Sequence, residues 1–133
     1  MMLSDVRDYI ATLGIADAGN VYMGKLPGKP GKAIGVYNSK HQHAYSTAIG
    51  GPELQSYGTK YVTLLVHWNT SLRETEAAAT AVLDAIQAAR EVQINDTTIK
   101  FIQPLYEIQD VGTDDTGICE MVIEAAVIFA KGV

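Results

Sequence analysis

Chemistry in this chain would have to come from a few short groupings of residues, and each departs from the motif it approaches. Residues Gly19 to Leu26, reading GNVYMGKL, nearly spell a phosphate-binding loop. In that motif backbone N–H groups cradle the phosphates, the lysine reaches them, and a following hydroxyl holds magnesium. Here Leu26 occupies the hydroxyl position, the required strand does not precede the motif, and Pro27 and Pro30 spoil the helix that should follow. His41 and His43 are spaced i, i+2, which in a strand puts both on one side, and with His67 they would offer three imidazoles to zinc. No fourth ligand or general base is evident, the first two fall in a polar loop, and His67 sits on a strand face beside Trp68. Asp110, Asp114 and Asp115 would supply oxygen ligands to calcium, but the EF-hand spacing and its terminal Glu are absent. As turn formers they need no ion. Cys119 falls on an apolar strand face, where a thiol behaves as a small hydrophobe, and no motif pairs it with a base. Ser46, Ser56 and Ser71 lack a nucleophile-elbow context. The expectation is a protein without catalytic residues, cofactor or metal. The alternative is a small metal- or ligand-binding enzyme using His41, His43 and His67.

The elements that would position these residues are legible from periodicity. Leu3, Val6, Ile10 and Leu13 recur at helical spacing, with Ser4 as a cap and Gly14 as the exit. Asn20 to Met23 and Ala33 to Tyr37 read as short strands around a loop rich in Pro and Gly. Asn38 to Gly58 reads as one long polar loop. Thr59 to Trp68 alternates: Val62, Leu64, Val66 and Trp68 share one face, Tyr61, Thr63, Leu65 and His67 the other. Ser71 to Arg90 is the clearest helix, with Ser71 and Glu74 in a capping-box pattern and an apolar stripe of Leu72, Ala79, Val82, Leu83, Ile86 and Ala89. Val92 to Ile94 and Thr98 to Ile108 read as strands about an Asn95-Asp96 turn, with Pro104 marking an edge or bulge. Gln109 to Thr116 reads as an acidic loop.

Gly117 to Val133 closes the chain as a long strand. Cys119, Met121, Ile123, Ala125, Val127 and Phe129 make a wholly apolar face. Ile118, Glu120, Val122, Glu124, Ala126 and Ile128 make a mixed one, which needs a cover from the chain itself or from a neighbour. The prediction is a single α+β domain over residues 1–133. It has a mixed or antiparallel sheet of about five strands with one long and one short helix packed on it, in the order α-β-β-β-α-β-β.

The 133-residue length suits one core. No run approaches the roughly 18 apolar residues that span a bilayer, and the mixed acid and base of the N-terminus does not read as a signal peptide. One cysteine excludes an internal disulfide and fits a reducing cytosol. A net charge of -5 argues against general affinity for nucleic acid. The charge is also unevenly placed. Lys25, Lys29, Lys32, Lys40 and Lys60 share a segment whose only acid is Glu53, whereas Glu107 to Glu124 holds six acids and no base. A basic and an acidic pole favour head-to-tail association. Tyr37, Tyr45, Tyr57 and Tyr61 suit an interface, because tyrosine buries area while keeping a polar tip.

The opening helix around Val6 to Ile10, the run Asn20 to Pro27, the strand Ile34 to Tyr37 after a Pro/Gly loop, and the strand containing Ile102-Gln103-Pro104-Leu105 give the chain a resemblance. It is similar to the small tailed-phage proteins known as minor capsid or tail-terminator (tail-completion, head–tail joining) proteins. The likeness covers nearly the whole chain and carries no catalytic signature. It implies a structural virion protein, assembled in the host cytoplasm, that forms a ring, commonly of six copies, capping the tail tube or joining it to the head. The implied partners are further copies of itself, the tail-tube protein and head-connector proteins, with DNA passing through unbound and no membrane involved. Lys25, Lys29, Lys32, Tyr45 and Tyr57 are the expected contact residues. Asp110, Asp114 and Asp115 are the expected lumen residues, since an acidic lumen would not grip phosphates.

Overall fold

The computed structural model describes residues 1–27, 31–40 and 57–130. Helix α1 spans Leu3–Thr12 and a 3₁₀ turn spans Ala18–Asn20. Strands β1 (Val21–Met23), β2 (Ala33–Asn38) and β3 (Tyr57–His67) lead to helix α2 (Leu72–Ala88). Strands β4 (Arg90–Ile94), β5 (Thr97–Pro104), β6 (Gln109–Thr113) and β7 (Cys119–Ala130) complete the chain. All the strands join one sheet in the order β1-β2-β3-β7-β5-β4, with β6 also paired to β7. Among the described residues only β1 and β2 run parallel; every other pairing is antiparallel.

The α+β architecture with a short and a long helix is as the periodicities predict. The sheet, however, holds seven strands rather than about five. Its count rises because β4, β5 and β7 each take their own place, and because β6 forms where an acidic loop was expected. All five residues of β6 are exposed, so no burial pattern marks it in sequence. Its ladder to β7 is made by backbone groups, which carry no side-chain signature.

The terminal strand is the axis of the fold. One edge of β7 pairs with β3 along its length, from Tyr57↔Ala130 to His67↔Glu120. The other edge is shared between β5 and β6. Register sets the apolar faces of β3 and β7 side by side: Val62 opposes Ala125, Leu64 opposes Ile123, and Val66 opposes Met121. These six side chains are buried, together with Val6, Tyr9 and Ile10 of α1 and Ala79, Val82 and Ile86 of α2. The helices thus cover one face of the sheet.

Local chemistry fixes the helix ends. Ser71 Oγ accepts from the Glu74 N–H at 3.2 Å, the cap expected from sequence. At α1 the expected Ser4 cap is replaced by Asp5, whose Oδ2 accepts from the Met2 N–H at 2.8 Å. Gly14 then takes φ 72°, a left-handed exit that suits glycine. The buried stripe of α2 begins at Thr75, whose hydroxyl donates to the Ser71 carbonyl at 2.8 Å. Leu72, expected to begin it, is 50% exposed at the first helical residue. Pro104 ends β5, and the ladder resumes one residue later where the Leu105 N–H bonds the Glu124 carbonyl at 2.9 Å.

Candidate functional site

The face of β3 and β7 opposite the helices holds two buried polar side chains among the described residues, Glu124 and His67. Glu124 is buried on β7, and its carboxylate accepts from Thr63 Oγ1 at 2.8 Å and Ser39 Oγ at 3.4 Å. His67, at the end of β3, is 2% exposed. Its Nε2 lies 2.8 Å from Asp114 Oδ2. Asp114 opens the turn that joins β6 to β7, so this contact ties the acidic hairpin to the central sheet.

The turn is organised around the same carboxylate. Asp114 Oδ1 accepts from the Thr116 N–H at 2.8 Å, the Thr116 hydroxyl at 2.7 Å and the Ile118 N–H at 3.0 Å. Gly117 takes φ 87° to close the turn. These donors, led by His67, hold the Asp114 carboxyl well below the usual carboxylate range. An ionised Asp114 can only accept, so His67 Nε2 carries the proton it shares with Oδ2. The sequence placed His67 on the strand face opposite Val62, Leu64 and Val66 but gave no sign that a residue 47 positions on would meet it.

The expected site residues fall into three groups. Lys25 and Lys32 are exposed, one just past β1 and one just before β2, and Tyr57 at the start of β3 is 54% exposed. Asp110 and Asp115 are exposed on β6 and on the following turn, whereas Asp114 is turned to His67. Lys29, Tyr45, His41 and His43 lie outside the described residues. Among the described residues, no three His, Cys, Asp or Glu side chains converge as a metal site would require. Cys119 is a buried free thiol, as its strand face predicts.

Two open depressions lie at opposite ends of the strands. One, of about 490 Å³, is lined by Asp17, Asn20, Lys32 and Trp68 among others. The second, of about 500 Å³, is lined by Met2, Asp5, Asn95 and Phe129 among others. Sequence reasoning missed a different feature, the large apolar side chains at the sheet's margins: Met23 at 56%, Tyr106 at 51% and Val111 at 51% exposure. No periodicity marks them, because β1 is only three residues long, all five residues of β6 are exposed, and Tyr106 lies between strands.

Comparison with known proteins bears on this two-helix, mixed-sheet domain in two ways. The fold is similar to that of a chain in the virion of a native gene transfer agent particle, with a TM-score of 0.57 at 13% sequence identity. That match covers 98% of this chain and 95% of the other. A search of curated proteins finds no match. The family model described as bacteriophage tail terminator protein matches residues 9–131, and the chain belongs to that family. It is a structural phage protein.

Proposed function

We propose that this protein is a ring subunit, six copies to a ring, that terminates the tail tube or joins the tail to the head in the virion. The single observation that carries this reading is the family match over residues 9–131. The fold supports it: side chains fill the core, while large apolar residues stand exposed at the margins of the sheet. Its work is to bury those margins against further copies, the tail-tube protein and head-connector proteins. The test is solution mass by light scattering, with and without the tail-tube protein, followed by imaging for rings. A protein that stays monomeric in both samples overturns the reading.

Lys25, Lys29 and Lys32, with Tyr45 and Tyr57, are the contact residues of this proposal. Replacing the three lysines together by Glu weakens assembly and leaves the monomer folded, because exposed lysines contribute little to folding but steer association. Intact assembly by the triple variant would remove these residues from the interface.

The acidic hairpin is proposed to face the lumen, through Asp110 and Asp115. Asp114 remains beside them, with its charge spent on His67. Asp110→Asn with Asp115→Asn, leaving Asp114 intact to hold the turn, slows DNA passage or traps DNA in the particle. Ejection at the normal rate would count against a lumen position.

A further inference from the structure

Helix α1 joins the two ends of the sheet. In the strand order β1 and β4 stand five steps apart, so a flat sheet would separate them by roughly 24 Å at the usual strand spacing. Instead α1 packs on β1, β2 and β4. A continuous chain of hydrogen bonds crosses the gap through one turn of that helix. Arg7 Nε donates to the Val21 carbonyl of β1 at 2.9 Å, and Arg7 Nη1 donates to Asp8 Oδ1 at 3.0 Å. Asp8 Oδ2 accepts from Asn95 Nδ2, in the turn between β4 and β5, at 3.0 Å. The same amide donates to Asp5 Oδ1 at 2.9 Å. Asn95 takes φ 52°, a left-handed conformation that asparagine adopts more readily than most residues. Three hydrogen bonds, one guanidinium and one carboxylate thus bridge the two end strands. So short a bridge requires the sheet to be curled.

We propose that the chain from Val21 through Arg7 and Asp8 to Asn95 is a clasp that holds the curl of the sheet and, resting on the ring reading, sets the angle at which one copy meets the next. Folding does not depend on it. Val6, Tyr9 and Ile10 anchor α1 in the core, each at most 4% exposed. The Arg7 and Asp8 side chains are 29% and 39% exposed, where an ion pair adds little stability. The clasp therefore selects among nearby shapes of a sheet that is already folded. The ends it ties carry exposed side chains: Met23 and Lys25 at β1, and Phe101 of β5 with its cross-strand neighbour Arg90 of β4. The relative tilt of these two groups changes with the curl. A heterologous contact closes into a ring only when each copy turns the next by the required angle, and otherwise gives an open filament. Arg7, Asp8 and Asn95 are thus positioning residues for closure.

Asn95→Gly tests it, because glycine keeps the left-handed turn and removes only the amide. Spin labels on Asp17→Cys, just before β1, and Asp96→Cys, in the β4–β5 turn, report the gap. Both positions are exposed, whereas the native Cys119 is buried. In Asn95→Gly the distance between the labels lengthens by a few ångströms and its distribution broadens. Asp8→Ala breaks the chain but spares the Asp5–Asn95 bond, so it lengthens the distance less. Added to Asn95→Gly it changes nothing further, since the same clasp is already open. Circular dichroism and melting temperature stay close to those of the wild type. Imaging with the tail-tube protein then shows the fraction of closed rings falling several-fold in Asn95→Gly, with open arcs or a different copy number in their place. An unchanged label distance in Asn95→Gly overturns the clasp. A widened gap with normal closed rings overturns its role in closure. If the wild-type protein forms no ring alone or with the tail-tube protein, the ring reading and the role in closure both fall, while the label distance still decides the clasp.

Discussion

Ile123→Ala lowers the unfolding free energy by about 2–5 kcal/mol, whereas Val122→Ala, one residue earlier, costs about 1 kcal/mol or less. Ile123 is 1% exposed and opposes Leu64 in the centre of the sheet, beneath the helices. Truncation there removes buried methyl groups and leaves a cavity that the close-packed surroundings fill only in part. Val122 points to the other face and is half-buried, so its loss opens no enclosed void. Urea unfolding followed by the fluorescence of Trp68, itself part of the core, measures both variants. Equal losses at the two positions would refute the assignment of faces along β7.

The second large effect concerns the hairpin. His67→Ala or Asp114→Asn frees the β6–β7 turn, and amide exchange at Gly117 and Ile118 accelerates strongly while the β3–β7 ladder keeps its protection. The reason is that one carboxylate organises the whole turn, accepting from His67, from the Thr116 N–H and hydroxyl, and from the Ile118 N–H. The pH dependence follows from the direction of the shift. In the folded state the Asp114 carboxyl lies below its ordinary value. The unfolded chain therefore binds a proton first as the pH falls, and the stabilisation it gives is complete above about pH 4. It is lost as the pH drops toward the depressed folded value. The wild-type hairpin loosens over that acid range, whereas Asp114→Asn is loose at neutral pH and shows no such step. Identical acid profiles for the two proteins would show that the carboxylate does not hold the turn.

The hairpin also marks the boundary of what the sequence conveys. The alternation in Thr59 to Trp68 and in the terminal segment predicted both long strands and their buried faces, and Ser71 and Glu74 predicted the start of α2. Those signals are local, since a side chain's place on a strand or helix follows from its spacing to near neighbours. The strand β6 carried no such signal. Its residues are exposed on both sides, and Asp, Gly and Thr in that run read as turn formers. The same limit hid Leu72, whose spacing fits the stripe although its position at the first residue of α2 leaves it exposed.

For the site the division is similar. Lys25, Lys32 and Asp110 were visible as unevenly placed charge, because charge is a property of composition. That Lys25 and Asp110 stand at opposite margins of one sheet follows only from the strand order β1-β2-β3-β7, with β6 beyond.

The sequence by itself determined the two helices, the long alternating strands and the absence of a complete catalytic motif, because periodicity and residue chemistry act over a few positions. Tertiary structure alone decided which strands stand at the margins, that β6 is a strand at all, and that His67 meets Asp114. Backbone hydrogen bonds between strands are alike for almost every residue, so the pairing of distant segments is settled by the packing of the whole chain.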